Sequence, residues 1–206
     1  KDAKGFEGLS AHCVPPHDIV GERIEDHLPE GPGDQLLKKI MFDARSILEQ
    51  HEINQIRLDL KENPANLIWL WGQGVTPKLE KFKTLFGVSG SIISAVDLIK
   101  GIGRLIGLTV VDVPGATGYI DTNYEGKATY ALDSLEEKDF VFIHVEAPDE
   151  AGHEGNVKHK ISAIESIDYH IVGAIRKYCE ENRDTKVLIA PDHPTPIAKR
   201  THVSDW

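Results

Sequence analysis

Apolar residues at Leu36, Leu37, Ile40, Met41, Ala44, Ile47 and Leu48 recur every three or four positions, the spacing of one face of an α-helix. Asp34, directly after Gly33, stands where an N-cap belongs. Ahead of this helix, residues 1–33 are broken by Pro, Gly and His in "HCVPPHD" and "LPEGPGD", a pattern of loops around one short strand. Beyond it, "NQIRLDL" alternates and predicts a strand, "ENPAN" a turn, and "LIWLWG" a second strand. The first 75 residues thus predict a small α/β unit.

From residue 76 the alternation is more regular. "GSIISAV" predicts a strand, "DLIKGIGRLIG" a short helix and "LTVVDV" a strand. The loop "PGATGYIDTN" leads to a helix in "YEGKATYALDSLEE", and "DFVFIHVE" is a nearly unbroken apolar strand. A long helix is expected from about Val157, capped by Asn156, with Val157, Ile161, Ile164, Ile171, Ile175 and Tyr178 on one stripe. "TKVLIAPDH" predicts the last strand. Apolar strands alternating with helices imply an α/β fold, a mostly parallel sheet sandwiched by helices. In such sheets ligands bind at the carboxyl ends of the strands.

Composition narrows the partners. A chain of 206 residues, 40% hydrophobic, can bury an ordinary globular core. Its formal charge of −10 argues against nucleic acid or an anionic membrane as the main partner. Cys13 and Cys179 form no ligand pair or disulfide framework, which suits a reducing cytoplasmic setting. No apolar run reaches transmembrane length, and no signal peptide is present. The opening "KDAKGFEG" and the ending "THVSDW" read as cuts through a longer protein.

Two of the predicted strands run into metal-binding residue types. "DFVFIHVE" leads to Asp149 and His153, and "KVLIA" leads to Asp192 and His193, with His202 soon after. Taken singly, each motif is more often a solvated loop than a site. Parallel neighbouring strands would gather all five side chains at one edge, a set suited to divalent ions such as Zn²⁺ or Mn²⁺. Because Asp192 and His193 are adjacent, they suit a cluster of two ions. His144, inside an apolar strand, is expected to be a satisfied core histidine, and Trp69 and Trp71 to pack. Gly101–Gly103 is not followed by the remaining glycine of a dinucleotide loop, and no P-loop occurs.

"HVEAPDEAGHEGN", "KISAIESID", "APDHPTP" and "KRTH", with "PANLIWLWGQG", "SAVDLIKGIGRLIGL" and "VPGATGYIDTNYEGKA", closely resemble the archaeal-type cofactor-independent phosphoglycerate mutases of the alkaline phosphatase superfamily. The resemblance implies that Asp149, His153 and His202 hold one metal, and Asp192 and His193 part of a second. The ions implied are Mn²⁺, Zn²⁺ or Co²⁺, with no 2,3-bisphosphoglycerate. The substrate is a small phosphorylated acid, converted between 3-phosphoglycerate and 2-phosphoglycerate through a phosphoserine enzyme. Some bacterial relatives are described as proposed homoserine kinases, so a kinase or a metal-dependent phosphatase is the alternative activity.

The family's nucleophilic serine and first aspartate have no counterpart here, since Ser10 in "GLSAHC" follows no strand ending in Asp. Residues 1–206 alone are therefore expected to be inactive, a non-catalytic fragment. Residues 1–75 would be the tail of an inserted substrate-capping domain and 76–206 the metal-binding core. For substrate contacts the resemblance favours Lys100, with Arg104, Arg57 and His17 (beside Asp18) as further candidates.

Overall fold

The computed structural model describes residues 10–19, 21–74 and 77–204. It divides into two compact units, Lys1–Pro77 and Lys78–Trp206. In the first, helix α1 spans Asp34–Glu49, with Leu37 and Met41 buried on its apolar stripe. Its cap is Gly33, at φ 88°, rather than Asp34. Asp34 sits in the first turn instead, where Lys38 Nζ donates to its carboxylate at 2.9 Å.

"NQIRLDL" is helical, not a strand: all but its last residue lie in α2, Glu52–Asp59, with Leu60 at its C-cap. Ile56, Leu58 and Leu60 alternate, but Ile53, Ile56 and Leu60 keep helical spacing, and local hydrogen bonds decide between the two. The His51 ring accepts from Ile53 N, and buried Asn54 binds the carbonyls of Leu48 and Ala65 and the amide of Ala65. "LIWLWG" forms neither helix nor ladder among the described residues. Trp69 Nε1 donates to Val14 O at 2.8 Å, tying this segment to the loops near the start of the chain. Those loops carry one antiparallel bridge, His12 with Glu30, and two short 3-10 turns, Pro16–Asp18 and Ile24–His27.

The second unit is built on a parallel sheet of order β2-β1-β3. Strands β1 (Gly90–Ile93), β2 (Thr109–Val110) and β3 (Phe140–Ile143) pair in register, Ser91 with Thr109 and with Val141. Every residue of the central strand β1 is buried. Short helix α3 (Phe82–Phe86) precedes β1, α4 (Asp97–Ile106) joins β1 to β2, and α5 (Tyr124–Leu135) joins β2 to β3. Asn123 caps α5, its side chain accepting from Gly126 N at 2.8 Å. After β3 come α6 (Ala147–His153) and α7 (Val157–Ser166), the latter capped by Asn156 as its sequence predicts.

The long helix is not continuous. A π-helical segment, Ile167–Val172, separates α7 from α8 (Gly173–Glu181). The buried face runs through Ala163, Ile167 and Ile171 to Ala174 and Ile175, while Val157, Ile161 and Ile164 are about half exposed. The predicted stripe therefore fails over α7, because the small Ala163, not the larger isoleucines, lets the helix approach Tyr124 and Ala147 closely. "TKVLIAPDH" also departs from expectation. Residues 185–190 form neither helix nor ladder among the described residues, and Leu188 is 90% exposed.

Candidate metal centre

The site grows from the carboxyl end of β3. His144 N donates to Ile93 O at 2.8 Å, continuing the ladder one residue beyond the strand. Two residues later the chain turns into α6, with Pro148 in the first turn, where a missing N–H costs nothing. Asp149 and His153 lie four residues apart on this helix and so share a face. His153 Nε2 is 3.2 Å from Asp149 Oδ2.

The opposite wall is the segment carrying Asp192, His193, Thr195 and His202, and its approach depends on glycine. A Cβ at Gly152 would lie 2.5 Å from the Thr195 carbonyl oxygen, closer than real contacts allow. Gly155, at φ +70°, ends the helix in the left-handed region and leaves space that the Arg200 guanidinium fills. Two glycines thus allow the loop to press against α6, bringing His193 and His202 to Asp149.

Within this contact four side chains converge. His202 Nε2 is 3.0 Å from His153 Nε2 and 3.4 Å from Asp149 Oδ1. The rings of His193 and His202 lie with centroids 3.8 Å apart. One ligand atom each from Asp149, His193 and His202 falls within 4.8 Å of the others. Thr195 Oγ1 donates to Asp149 Oδ1 and stands 3.3 Å from His193 Nδ1. His153 Nδ1 is 3.0 Å from Arg200 O, a carbonyl that can only accept, so the ring proton belongs on Nδ1 and Nε2 presents its lone pair to the cleft. This donor set of imidazole nitrogens and a carboxylate suits a divalent cation of the zinc or manganese kind.

Asp192 is the more exposed neighbour of this cluster. Its carboxylate accepts from His193 N at 2.9 Å, lies 3.4 Å from His193 Nε2 and is 72% exposed, whereas His193 itself groups with Asp149 and His202. Glu146 also reaches the site: oxygens of Glu146, Asp149 and Glu150 come within 4.8 Å of one another. Burial, reinforced by the charges of Asp149, Glu150 and Asp192, pushes the Glu146 carboxyl above its usual range.

The expected substrate contacts are divided between the two units, His17 and Arg57 in the first and Lys100 and Arg104 in the second. Lys100, in α4 just after β1, donates to Asp112 Oδ1 at 2.9 Å, and its hydrogen bond and charge hold that carboxyl below the usual range. Arg104, one turn on, is exposed and adds weakly to the same attraction. Arg57, in the first unit, is engaged locally: Nε donates to Asn63 O at 2.7 Å and Glu62 lies 3.9 Å away. His17 falls in the 3-10 turn Pro16–Asp18, and its side chain lies outside the described residues. Ser10 is exposed.

Sequence reasoning missed Thr195, Glu146 and Lys127. Thr195 had one usable signal, its position two residues after His193 in "APDHPTP". Lys127 had none, because a lysine on a helix is ordinarily solvated.

Residues 34–206 match the model of the metalloenzyme superfamily, and residues 6–54 that of the 2,3-bisphosphoglycerate-independent phosphoglycerate mutases. Over 199 residues the chain is 52% identical to the 2,3-bisphosphoglycerate-independent phosphoglycerate mutase of Methanosarcina acetivorans, covering 96% of this chain and 50% of that protein. It is 51% identical over 189 residues to a probable 2,3-bisphosphoglycerate-independent phosphoglycerate mutase of Geobacter sulfurreducens, covering 92% of this chain and 47% of that one. Among solved structures it is similar to the PH0037 protein from Pyrococcus horikoshii, with a TM-score of 0.63 and 29% identity, covering 82% of this chain and 44% of that one. The chain spans about half the length of the curated relatives it matches.

Proposed function

Because this chain belongs to the metalloenzyme superfamily, we propose that it forms the metal-binding part of an enzyme interconverting 3-phosphoglycerate and 2-phosphoglycerate without a bisphosphorylated cofactor. The observation that carries this reading is the convergence of Asp149, His153, His193 and His202 beyond the end of β3. Asp149, His153 and His202 are assigned to one divalent cation, and Asp192 and His193 to part of a second. Such cations, of Mn²⁺, Zn²⁺ or Co²⁺ type, would offset charge on the phosphoryl oxygens and lower the pKa of an attacking hydroxyl.

The chain's own residues orient these groups. Thr195 holds Asp149 and His193 in one hydrogen-bonded line, and the Arg200 carbonyl keeps the His153 Nε2 lone pair facing the cleft. Lys100, held by Asp112, and Arg104 are assigned to the anionic groups of the substrate. A serine supplied by sequence outside these residues takes the phosphoryl group from one glycerate hydroxyl as that P–O bond breaks. The same group then passes to the neighbouring hydroxyl, regenerating the serine. Residues 1–75 contribute to a capping domain that excludes water while the phosphate is held on the enzyme. No helix among the described residues is long and apolar enough to cross a membrane. The setting proposed for the enzyme is cytoplasmic, where free thiols such as Cys13 and Cys179 stay reduced.

Two measurements test the reading. Calorimetric titration of the chain with Mn²⁺, Co²⁺ and Zn²⁺ is expected to show binding that His153→Ala removes. Assayed with 3-phosphoglycerate, the 206-residue chain is expected to give no turnover. The protein extended to the length of its relatives is expected to give metal-dependent turnover, lost in His153→Ala. Turnover that survives His153→Ala would sink the proposal.

A further inference from the structure

Lys127, on α5, is wholly buried, with no solvent-accessible surface. Its helix neighbours Ala128 and Ala131 are core residues. An ammonium placed there is costly, and burial lowers its pKa to about 8 against the opposing pull of Glu146. An apolar side chain of similar length would fill the same space without that cost.

The charge is aimed at one backbone atom. Lys127 Nζ donates to His144 O at 3.1 Å, at the point where β3 ends. The rest of His144 is equally constrained. Its amide donates to Ile93 O, its Nδ1 meets Ser94 Oγ at 3.1 Å, and its Nε2 meets Glu146 Oε2 at 3.2 Å. Ser94 Oγ in turn accepts from Val96 N at 3.0 Å, in the turn between β1 and α4. The line then reaches the metal centre, because Glu146 O accepts from Asp149 N at 2.8 Å and from Glu150 N at 3.2 Å.

We propose that Lys127 is a positioning residue for the metal centre: by holding the His144 carbonyl it fixes the turn through Val145 and Glu146, and hence the place from which α6 presents Asp149 and His153. The proposal rests on the metal-binding reading of this site. Lys127 touches neither metal nor substrate; it acts through His144. A buried ammonium is suited to this task because its charge strengthens the hydrogen bond to the carbonyl beyond what a neutral donor gives.

The test is a Co²⁺ titration of the full chain followed by visible absorption, which reports both affinity and coordination geometry. Lys127→Met keeps an unbranched side chain, one atom shorter, and removes its charge and donor. It is expected to weaken Co²⁺ binding about tenfold or more and to change the absorption bands. Ala131→Gly, buried on the same helix, serves as the control; it is expected to lower the melting temperature while leaving Co²⁺ affinity and spectrum as in the parent. Parent-like affinity and bands in Lys127→Met would overturn the assignment and leave the metal-binding reading intact. A parent chain that binds no Co²⁺ would remove both together. Should Lys127→Met fail to fold, Lys127→Gln, whose amide stops short of the carbonyl, is read against the same two outcomes.

Discussion

The two segments that meet at the candidate metal centre are held in opposite ways. Asp149 and His153 ride on α6, directly after a strand paired over its whole length with β1. His193 and His202 lie on a segment without helix or strand, preceded by Val187, Leu188 and Ile189, which are 50%, 90% and 66% exposed. The second segment takes its position from close contacts. The Thr195 carbonyl packs on Gly152 and accepts from Lys160 Nζ at 2.7 Å, the Arg200 carbonyl meets His153, and Val203 N donates to Pro194 O at 3.2 Å. The geometry of the site is therefore stored in α6 and passed to the loop through contact. A substitution at the contact should do more damage than one at an outlying ligand.

Gly152→Val tests that inference with the largest effect. Its branched side chain would meet the Thr195 backbone oxygen, already 2.5 Å from where a Cβ would lie, and no rotamer relieves a clash at Cβ. Mn²⁺ affinity measured by calorimetry is expected to fall by at least about a hundredfold, as the loop carrying two histidines is displaced. Affinity kept within about threefold would mean that the loop holds its own shape.

A paired comparison within the cluster comes next. Asp149→Asn removes a half-buried carboxylate that faces His153, His202 and Thr195, and is expected to weaken Mn²⁺ binding about thirtyfold or more. Asp192→Asn changes a carboxylate whose side chain is 72% exposed, and is expected to weaken the tightest Mn²⁺ site by less than about threefold. Equal losses would show that the two segments contribute alike to that site.

The contrast also explains what could be read from the sequence. The convergence of Asp149, His153, His193 and His202 was legible because few residue types suit divalent metals, and each motif follows an apolar run. The parallel sheet was legible in "GSIISAV", "LTVVDV" and "DFVFIHVE" because such strands are apolar on both faces. "KVLIA" has the same composition and forms no ladder here, since a strand is a property of a pair and one partner's sequence does not report the other. "NQIRLDL" was misread for a related reason: its period is ambiguous, and the hydrogen bonds of His51 and Asn54 that decide it come from fine geometry. Lys127 lies beyond sequence reading altogether, because nothing in "YEGKA" marks its ammonium as buried.

Lys127, which supports the α6 side of the comparison from α5, carries a pH dependence. Lys127 has a folded pKa of about 8, below the 10.5 of a free lysine, because burial disfavours its charge. Between these values the unfolded chain keeps the proton and the folded chain sheds it, so stability rises with pH across the window. The cost of burying the charge is fully present below about pH 8 and is relieved towards 10.5. Urea unfolding of the metal-free chain is expected to show this rise, up to about 3 kcal/mol, relative to Lys127→Met. Parallel pH profiles for the two proteins would mean that Lys127 does not titrate in that window.

The smallest expected effect lies in the apolar run before the loop. Leu188 is 90% exposed, so Leu188→Ser removes almost no packing and should change unfolding free energy by about 0.5 kcal/mol or less. Ile143, at the same kind of position relative to its own metal-binding segment, packs between both core clusters of the second unit. Ile143→Ser should cost about 2–4 kcal/mol, since it removes apolar contacts and leaves a hydroxyl among them. The pair measures how unequally the two segments are anchored. A loss at Leu188 approaching that at Ile143 would require the apolar run to be packed in solution, and the loop to be anchored from its own strand as firmly as α6 is from β3.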